Sequence, residues 1–232
     1  MSHNQGDAMK KILSIIIFGL FISQAYSVAG FGLNINQTMF SIDAKTNSIG
    51  TIGSYGYDAI SGGNGLGGYL YIDAIPFIDL DLEFSGFGTN YDYVLTIDGS
   101  STSYSLPYGS LAGYITLQKK VIKLAIPLLA KAKLTVGAGV NNQTYKSVPT
   151  QSDLETLIPG LASSSTAPTA DALIKFVKDN TDSVTGFHIQ TGLQFKLLML
   201  DSFLYYRQVF ADDVILGGKG FGSLNFRIGM GF

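Results

Sequence analysis

Residues 223–232 have the sequence SLNFRIGMGF, in which large apolar residues alternate with small or polar ones. Large apolar residues occupy every second position: Leu224, Phe226, Ile228, Met230 and Phe232. Serine, asparagine, arginine and glycine fill the positions between them. Successive side chains of a β-strand point to opposite faces, so this pattern predicts a strand with one apolar and one small or polar face. A helix would space its apolar residues three and four apart.

The same alternation recurs along the chain and predicts eight strands. They contain residues 31–36, 66–73, 78–85, 109–118, 133–141, 187–196, 201–210 and 223–232, and the pattern is less regular in 109–118 and 201–210. The connections 43–63, 90–108, 142–183 and 211–218 are long or polar. The others are short, near residues 75–76, 126–127 and 198–200. Short turns at one end and long loops at the other are typical of a membrane barrel.

The composition excludes several classes of protein. The 232 residues are 46% hydrophobic and 14% charged, which excludes a chain that is disordered throughout. A net charge of −2 provides no basic surface for nucleic acid. Without cysteine there is no disulfide, thiolate ligand or thiol nucleophile. After the N-terminal segment no apolar run is long enough for a transmembrane helix, so the mean hydropathy of +0.27 is attributed to apolar strand faces.

The N-terminal segment has the pattern of a secretory signal. Lys10 and Lys11 precede an apolar run over residues 12–22, and small residues follow at positions 25, 27 and 29. The pattern predicts a signal peptide over residues 1–29, with residues 1–8 as an upstream extension and cleavage after Ser27 or Ala29. The alternative is a buried N-terminal helix. The predicted barrel then comprises residues 30–232.

The terminal aromatic Phe232, with apolar residues at alternate positions before it, resembles the C-terminal signature of Gram-negative outer-membrane barrel proteins. The strand layout resembles the small OmpA, OmpX and OmpW barrels. The resemblance implies an all-β fold: a closed, antiparallel, eight-stranded transmembrane barrel with short periplasmic turns and long extracellular loops. It also implies export to the bacterial outer membrane. The implied partners are outer-membrane lipid and the barrel assembly machinery, which would bind the C-terminal strand.

A soluble β-sandwich is the alternative fold, since its strands alternate as well. Here the non-apolar face carries mainly Gly, Tyr, Asn and Thr, with few of the Lys and Glu expected on a soluble surface. This composition favours the barrel.

The inward face of an eight-stranded barrel is predicted to carry a charge network, because such a lumen is just wide enough for side chains to fill. Its acidic members come from the second and third strands and the others from the fifth to eighth strands: Asp73, Asp79, Asp81 and Glu83, with Lys131, Lys133, His188, Lys196, Arg207 and Arg227. We expect the network to plug or gate the lumen. The alternative is a set of pore-lining residues that water hydrates.

His188 is the one histidine beyond the N-terminal segment. A lone inward histidine is the general base of a lipid-modifying enzyme only if a nucleophile and an orienting carboxylate lie within reach. Ser85, Ser110 and Ser223 stand in no nucleophile motif. The sequence therefore predicts a structural histidine, and no catalytic, cofactor or metal site.

The longest connection, 142–183, contains two helical patterns. Ser152 and Glu155 have the spacing of a capping box, and residues 169–178 place Leu173, Phe176 and Val177 at helical spacing. These helices are predicted to form a lid or ligand-recognition cap; the alternative is a solvated loop. In 90–108, Asp98-Gly99 predicts a hairpin turn that extends the third and fourth strands beyond the membrane.

Three functions remain open at this point. The first is a narrow or gated channel, or a binding barrel, for small solutes. The second is a plugged structural or adhesion barrel that acts through its outer loops, where a small molecule or surface ligand would bind. The third, a lipid-modifying enzyme, depends on His188. General diffusion porins have 16 to 18 strands, so that class is not expected.

Overall fold

The computed structural model describes residues 29–50, 53–73, 78–126, 130–146, 148–158, 167–197 and 199–231, with the side chains of 124–131 excepted. Residues 1–28 of the predicted signal segment lie outside these residues, as does Phe232. The signal peptide and the role of Phe232 in the C-terminal signature therefore stay predictions. Among the described residues the strands are β1 (Ala29–Met39), β2 (Ser41–Ile42), β3 (Lys45–Ile49), β4 (Gly53–Tyr57), β5 (Ile60–Ser61), β6 (Asn64–Ile72), β7 (Asp79–Ile97), β8 (Ser100–Ile126), β9 (Ala130–Tyr145), β10 (Asp182–Leu197), β11 (Leu200–Phe210) and β12 (Phe221–Gly231). The helices are α1 (Gln151–Leu157) and α2 (Ala170–Asp179).

Eight of these strands form a closed ring. Neighbours pair antiparallel in the order β1, β6, β7, β8, β9, β10, β11, β12, and β12 pairs again with β1. The closing pair runs from Gly30 opposite Gly231 to Met39 opposite Gly222. The eight-stranded antiparallel barrel predicted from the alternation is confirmed.

The two faces of the barrel wall have the polarity of a membrane protein. Outward side chains are large and apolar, and they are exposed: Leu66 by 72% and Leu33 by 68%. Inward side chains are polar and buried, as with Asn34 and Arg227, each 1% exposed. A soluble sandwich buries its apolar face, so this arrangement excludes that alternative. The apolar side chains of β12, Leu224, Phe226, Ile228 and Met230, belong to the outward band.

Two strands are much longer than a membrane requires. A transmembrane strand needs about 9–11 residues, whereas β7 has 19 and β8 has 27. Their surplus forms a hairpin that turns at Asp98 and Gly99, both with positive φ. The segment 43–63, in which the sequence predicted no strand, supplies β3 and β4. These extend the hairpin into a four-stranded sheet of order β3-β4-β7-β8.

Helices α1 and α2 lie in the long connection, and their caps differ in part from the prediction. The capping box at α1 is formed by Thr150 and Asp153, not by Ser152 and Glu155. Helix α2 begins after Thr169, whose hydroxyl accepts a hydrogen bond from the Ala172 amide. The sequence contains both Ser/Thr-x-x-acid patterns, and the helix begins at the first of them. No helix in the described part of the chain is long and apolar enough to cross a membrane.

Candidate functional site: a filled lumen beneath an outer cap

Four charged side chains meet in the middle of the lumen, and we call them the lumen ion cluster: Asp81, Glu83, Arg207 and Arg227. Strand β7 carries the two acids and lies diametrically opposite β11, which carries Arg207. Arg207 Nη1 and Nη2 donate to Glu83 Oε1 and Oε2 at 3.0 and 2.9 Å. Arg227 Nη1 and Nη2 donate to Asp81 at 2.5 and 3.0 Å, and Arg227 also contacts Glu83. The cluster therefore bridges opposite walls of the barrel.

Aromatic rings and polar groups enclose the lumen ion cluster. The Arg207 guanidinium lies 3.8 Å from the Tyr114 ring centroid, and that of Arg227 lies 4.6 Å from Tyr69 and 4.7 Å from Tyr205. Glu83 also accepts hydrogen bonds from Tyr205 Oη at 2.7 Å and Asn34 Nδ2 at 3.0 Å. The side chains of all four members are at most 1% exposed. Each charge is compensated by an opposite charge, as buried ions require, and Asp81, Glu83 and Arg207 also form hydrogen bonds to uncharged groups. Arg227 Nε is buried without a hydrogen-bond partner among the described residues.

A second set of ion pairs lies nearer the short turns. Lys120 contacts Asp73 and lies 3.0 Å from Asp79. Lys196 lies 3.7 Å from Asp201, which also accepts hydrogen bonds from Tyr71 and Gln194. The sequence prediction missed Lys120 and Asp201. Lys120 continues the inward alternation of β8 past residue 118, where the predicted strand ended. Asp201 is the first residue of the predicted strand 201–210, and its side chain was not assigned to the inward face.

For two predicted members of the network, Lys131 and Lys133, the structure shows no ion pair in its described part. Lys133 is inward-facing but forms no ion pair within 4.0 Å among the residues that the structure describes. The side chain of Lys131 lies outside the described part. The lumen ion cluster therefore has fewer members than the predicted network: two arginines and two acids.

His188 is completely buried in the lumen wall. Its Nε2 shares a hydrogen bond of 2.8 Å with Thr116 Oγ1, and its ring packs edge-on against Tyr114 at 5.2 Å. The serines considered as nucleophiles bond elsewhere: Ser85 to Glu83, Ser110 to Gln143 and Ser223 to Asn225. In the described part of the chain, the hydroxyl group beside His188 is that of Thr116, and none of these three serines bonds to the imidazole.

In the described part of the chain, side chains occupy most of the outer half of the lumen. Between Arg207, Ser85 and Gln143 there is a cavity of about 10 Å³, the size of one water molecule. Outside it, Phe87 packs on Phe221 and Phe40 with ring centroids 5.6 and 5.8 Å apart. These rings separate the polar lumen from the outer end of the barrel.

The long connections fold into a compact body, which we call the outer cap: the described residues of 40–63, 90–108, 146–181 and 211–220. The buried centre of the outer cap is apolar and takes residues from the extended hairpin and both helices, with Tyr93, Leu95, Leu106, Leu154 and Leu173 completely buried. Burial raises the pKa of the Tyr91 and Tyr93 hydroxyls above the ordinary value of 10. The cap is therefore a packed structure with a core of its own.

Hydrogen bonds join the separate connections of the outer cap. Tyr104 donates to the Pro168 carbonyl at 2.9 Å, and Tyr108 donates to the Val214 carbonyl at 2.9 Å. Lys146 Nζ donates to the carbonyls of Val177 and Lys178 at 3.0 and 2.8 Å, at the C-terminal end of α2, where a cation is favourable. Three connections distant in sequence are thus held in one arrangement.

An apolar outer band, a polar filled lumen and a folded outer cap define the class. The chain is a transmembrane β-barrel of the small outer-membrane type.

Solved structures with similar architecture are small barrels from Gram-negative bacteria. They include the outer-membrane protein OprG of Pseudomonas aeruginosa (11% identity, TM-score 0.46, covering 88% of this chain and 92% of that chain). Neisserial surface protein A (10%, 0.45, 88% and 99%) and the N-terminal barrel domain of P. aeruginosa OprF (10%, 0.42, 88% and 99%) are also similar. No family model matches the sequence, and no curated protein matches it. Similarity at this level carries no argument about function.

Proposed function

We propose that the chain is a plugged outer-membrane barrel that anchors the outer cap at the cell surface, where the cap binds a ligand. The observation that carries this proposal is the lumen ion cluster, which bridges opposite walls beneath a packed cap. A solute that crossed the barrel would have to displace both. The cavity of about 10 Å³ between them has room for a single water molecule.

The rigidity of the outer cap supports a role in recognition. A surface that is ordered before binding loses less conformational entropy when a ligand arrives. The buried core and the bonds from Tyr104, Tyr108 and Lys146 provide this order. A loop that served only to connect two strands would not need a core.

The exposed face of the cap sheet indicates the kind of ligand. One row across its four strands consists entirely of hydroxyl residues: Ser48 opposite Ser54, Ser54 opposite Thr96, and Thr96 opposite Ser101. The outer cap contains ten acidic and five basic residues. Like charges repel, so this balance disfavours a polyanion. We propose an uncharged polar ligand, with neutral glycans as the class to test first.

Two experiments test the proposal. In planar bilayers, the refolded chain should insert without discrete conductance steps, and steps of a defined size would contradict the plug.

On a glycan array, the chain in detergent should bind a subset of neutral glycans. The variant Ser54→Val/Thr96→Val should lose that binding, while Thr144→Val, an exposed hydroxyl on the barrel wall, should keep it. Equal binding by both variants would exclude the hydroxyl row as the site.

A narrow gated channel is the second candidate. One observation favours it: the middle of the lumen is blocked by ions and hydrogen bonds rather than by interlocked apolar side chains. A path would open if the two arginines rearranged and the Phe87 layer and the outer cap moved aside. Under this candidate, the Glu83→Gln variant would show conductance steps, whereas the wild-type barrel would show none. If a correctly inserted Glu83→Gln barrel shows no conductance either, the plugged anchor remains as the proposed function. Neither candidate assigns a catalytic step to His188.

A further inference from the structure

The lipid-facing wall of the barrel is indented where two glycines flank an aromatic ring. Gly68 on β6 is paired with Phe84 on β7, and Phe84 is paired with Gly113 on β8. All three share the outward face. A groove of about 710 Å³ lies here, with walls that include Leu70, Phe84, Ile115 and Val140. We call it the wall groove.

The glycines create the wall groove because they leave its floor without side chains. A Cβ atom at Gly113 would meet no atom within 4 Å, and one at Gly68 would meet only the Gly32 carbonyl oxygen at 3.7 Å. The space above both is therefore open. Larger residues would fit there without displacing the barrel.

The outer end of the wall groove is polar. The row that contains Gly68, Phe84 and Gly113 continues to Asn142 on β9 and Thr185 on β10. Asn142 Nδ2 donates to Thr185 Oγ1 at 3.2 Å, and both side chains are exposed on the outer wall. They follow Val140 and precede Phe187, where the outward apolar ladders of β9 and β10 end. The groove thus leads from the apolar band to the depth of lipid head groups.

An apolar groove inside a bilayer has to be filled by something other than water. An empty groove forfeits the dispersion contacts of its lining, and water is excluded from the hydrocarbon region. The wall of a second barrel is convex and would bridge the indentation instead of entering it. A single hydrocarbon chain can enter. The combination of an apolar channel with an amide and a hydroxyl at one end matches a lipid, whose chain is apolar and whose head forms hydrogen bonds.

We propose that the wall groove is a binding site for one acyl chain of an outer-leaflet lipid, with Asn142 and Thr185 contacting its polar head. The proposal requires the barrel to span a membrane and is independent of whether the lumen conducts. Conductance and glycan binding therefore test the proposed function without testing this site.

Photo-crosslinking tests the site. The refolded chain is placed in vesicles of equal parts phosphatidylethanolamine and phosphatidylglycerol that contain a phospholipid with a diazirine in its acyl chain, and labelled residues are mapped by mass spectrometry. Labelling of Leu70, Phe84 and Ile115 should exceed that of Leu204 and Ile228, on the far wall, by about tenfold, equivalent to about 1.4 kcal/mol. A head-group diazirine should label Asn142 and Thr185.

Variants distinguish a site from general lipid contact. Gly68→Leu/Gly113→Leu fills the wall groove and should lower its labelling to that of the far wall. Gly88→Leu is the matched control, because Gly88 also faces outward and a Cβ there would meet only the Tyr108 carbonyl oxygen, at 3.9 Å. It should leave the labelling unchanged. Even labelling around the wild-type ring would overturn the proposal, since it indicates annular lipid only. Weaker labelling of the wall groove than of the far wall would also overturn it, because a second copy of the chain covering the groove would exclude lipid from it.

Discussion

The lumen and the outer cap are both tightly packed, but by opposite physical means. The lumen ion cluster is held by charges and hydrogen bonds between walls, whereas the outer cap is held by an apolar core. In the lumen each partner depends on the others, because removing one leaves an uncompensated buried charge. In the cap each apolar side chain contributes its own share of buried surface. The comparison predicts that single substitutions have larger effects in the lumen.

The largest effect is expected for Glu83→Ala. This change leaves the Arg207 guanidinium without a carboxylate and removes one of the two acids beside Arg227. It should lower the free energy of unfolding by about 3–5 kcal/mol, the usual consequence of breaking a buried pair. Urea titration of the chain in vesicles measures it. The exposed Glu155→Ala is the control and should change stability by less than about 0.5 kcal/mol. A change below 1 kcal/mol for Glu83→Ala would mean that water already hydrates the cluster.

In the outer cap, Leu106→Ala should destabilise by about 2–5 kcal/mol, as expected for deleting a completely buried leucine side chain. Unlike Glu83→Ala, it should act locally. Hydrogen exchange is expected to accelerate in residues 90–108 and in α2, while barrel strands such as β12 keep their protection. Equal acceleration in the barrel strands would show that cap and lumen unfold as one unit, and the contrast between the two regions would be lost.

The alternating pattern identified the barrel and its inward face because period two is a local property. The partners of the cluster are not local: Glu83 and Arg207 are 124 residues apart. Their meeting follows from the ring order of the strands, which alternation does not encode. The cap sheet was missed at 43–63 because β3 and β4 have only five residues each, and β4 consists of Gly, Ser and Tyr. They are strands through their pairing with each other and of β4 with β7. Their residues match no strand pattern without that neighbour.

Alkaline pH should lower the stability of the outer cap, by less than either of these two substitutions. Burial raises the pKa of Tyr91 and Tyr93, so the folded cap favours their neutral forms. The stability from this preference is fully present below pH 10, the unfolded value, and is lost as the pH rises toward the folded pKa. Absorbance of tyrosinate near 295 nm, followed with proteolysis of the cap, measures both processes. Tyr93→Phe should reduce the dependence of cap stability on pH above 10; an unchanged dependence would assign it to other tyrosines.

The smallest effect concerns the start of α1. Thr150→Ala removes the hydroxyl that accepts a hydrogen bond from the Asp153 amide and should cost about 1 kcal/mol of cap stability. Ser152→Ala, at the position that the sequence alone favoured as the cap, should have almost no effect. Proteolysis rates of the cap compare the two. A larger loss for Ser152→Ala would restore the sequence-based assignment.

The pairing of β1 with β12 has a consequence for how the molecule is made. Gly30 is paired with Gly231, so the first barrel strand can pair with the last one only after nearly all of the chain has been synthesised. Until then both strands have unpaired backbone edges, which are templates for aggregation. Contacts between such distant parts of a sequence also make folding slow. We therefore expect the ring to close after translation is complete, and we expect the chain to aggregate unless it is kept apart from its copies until then.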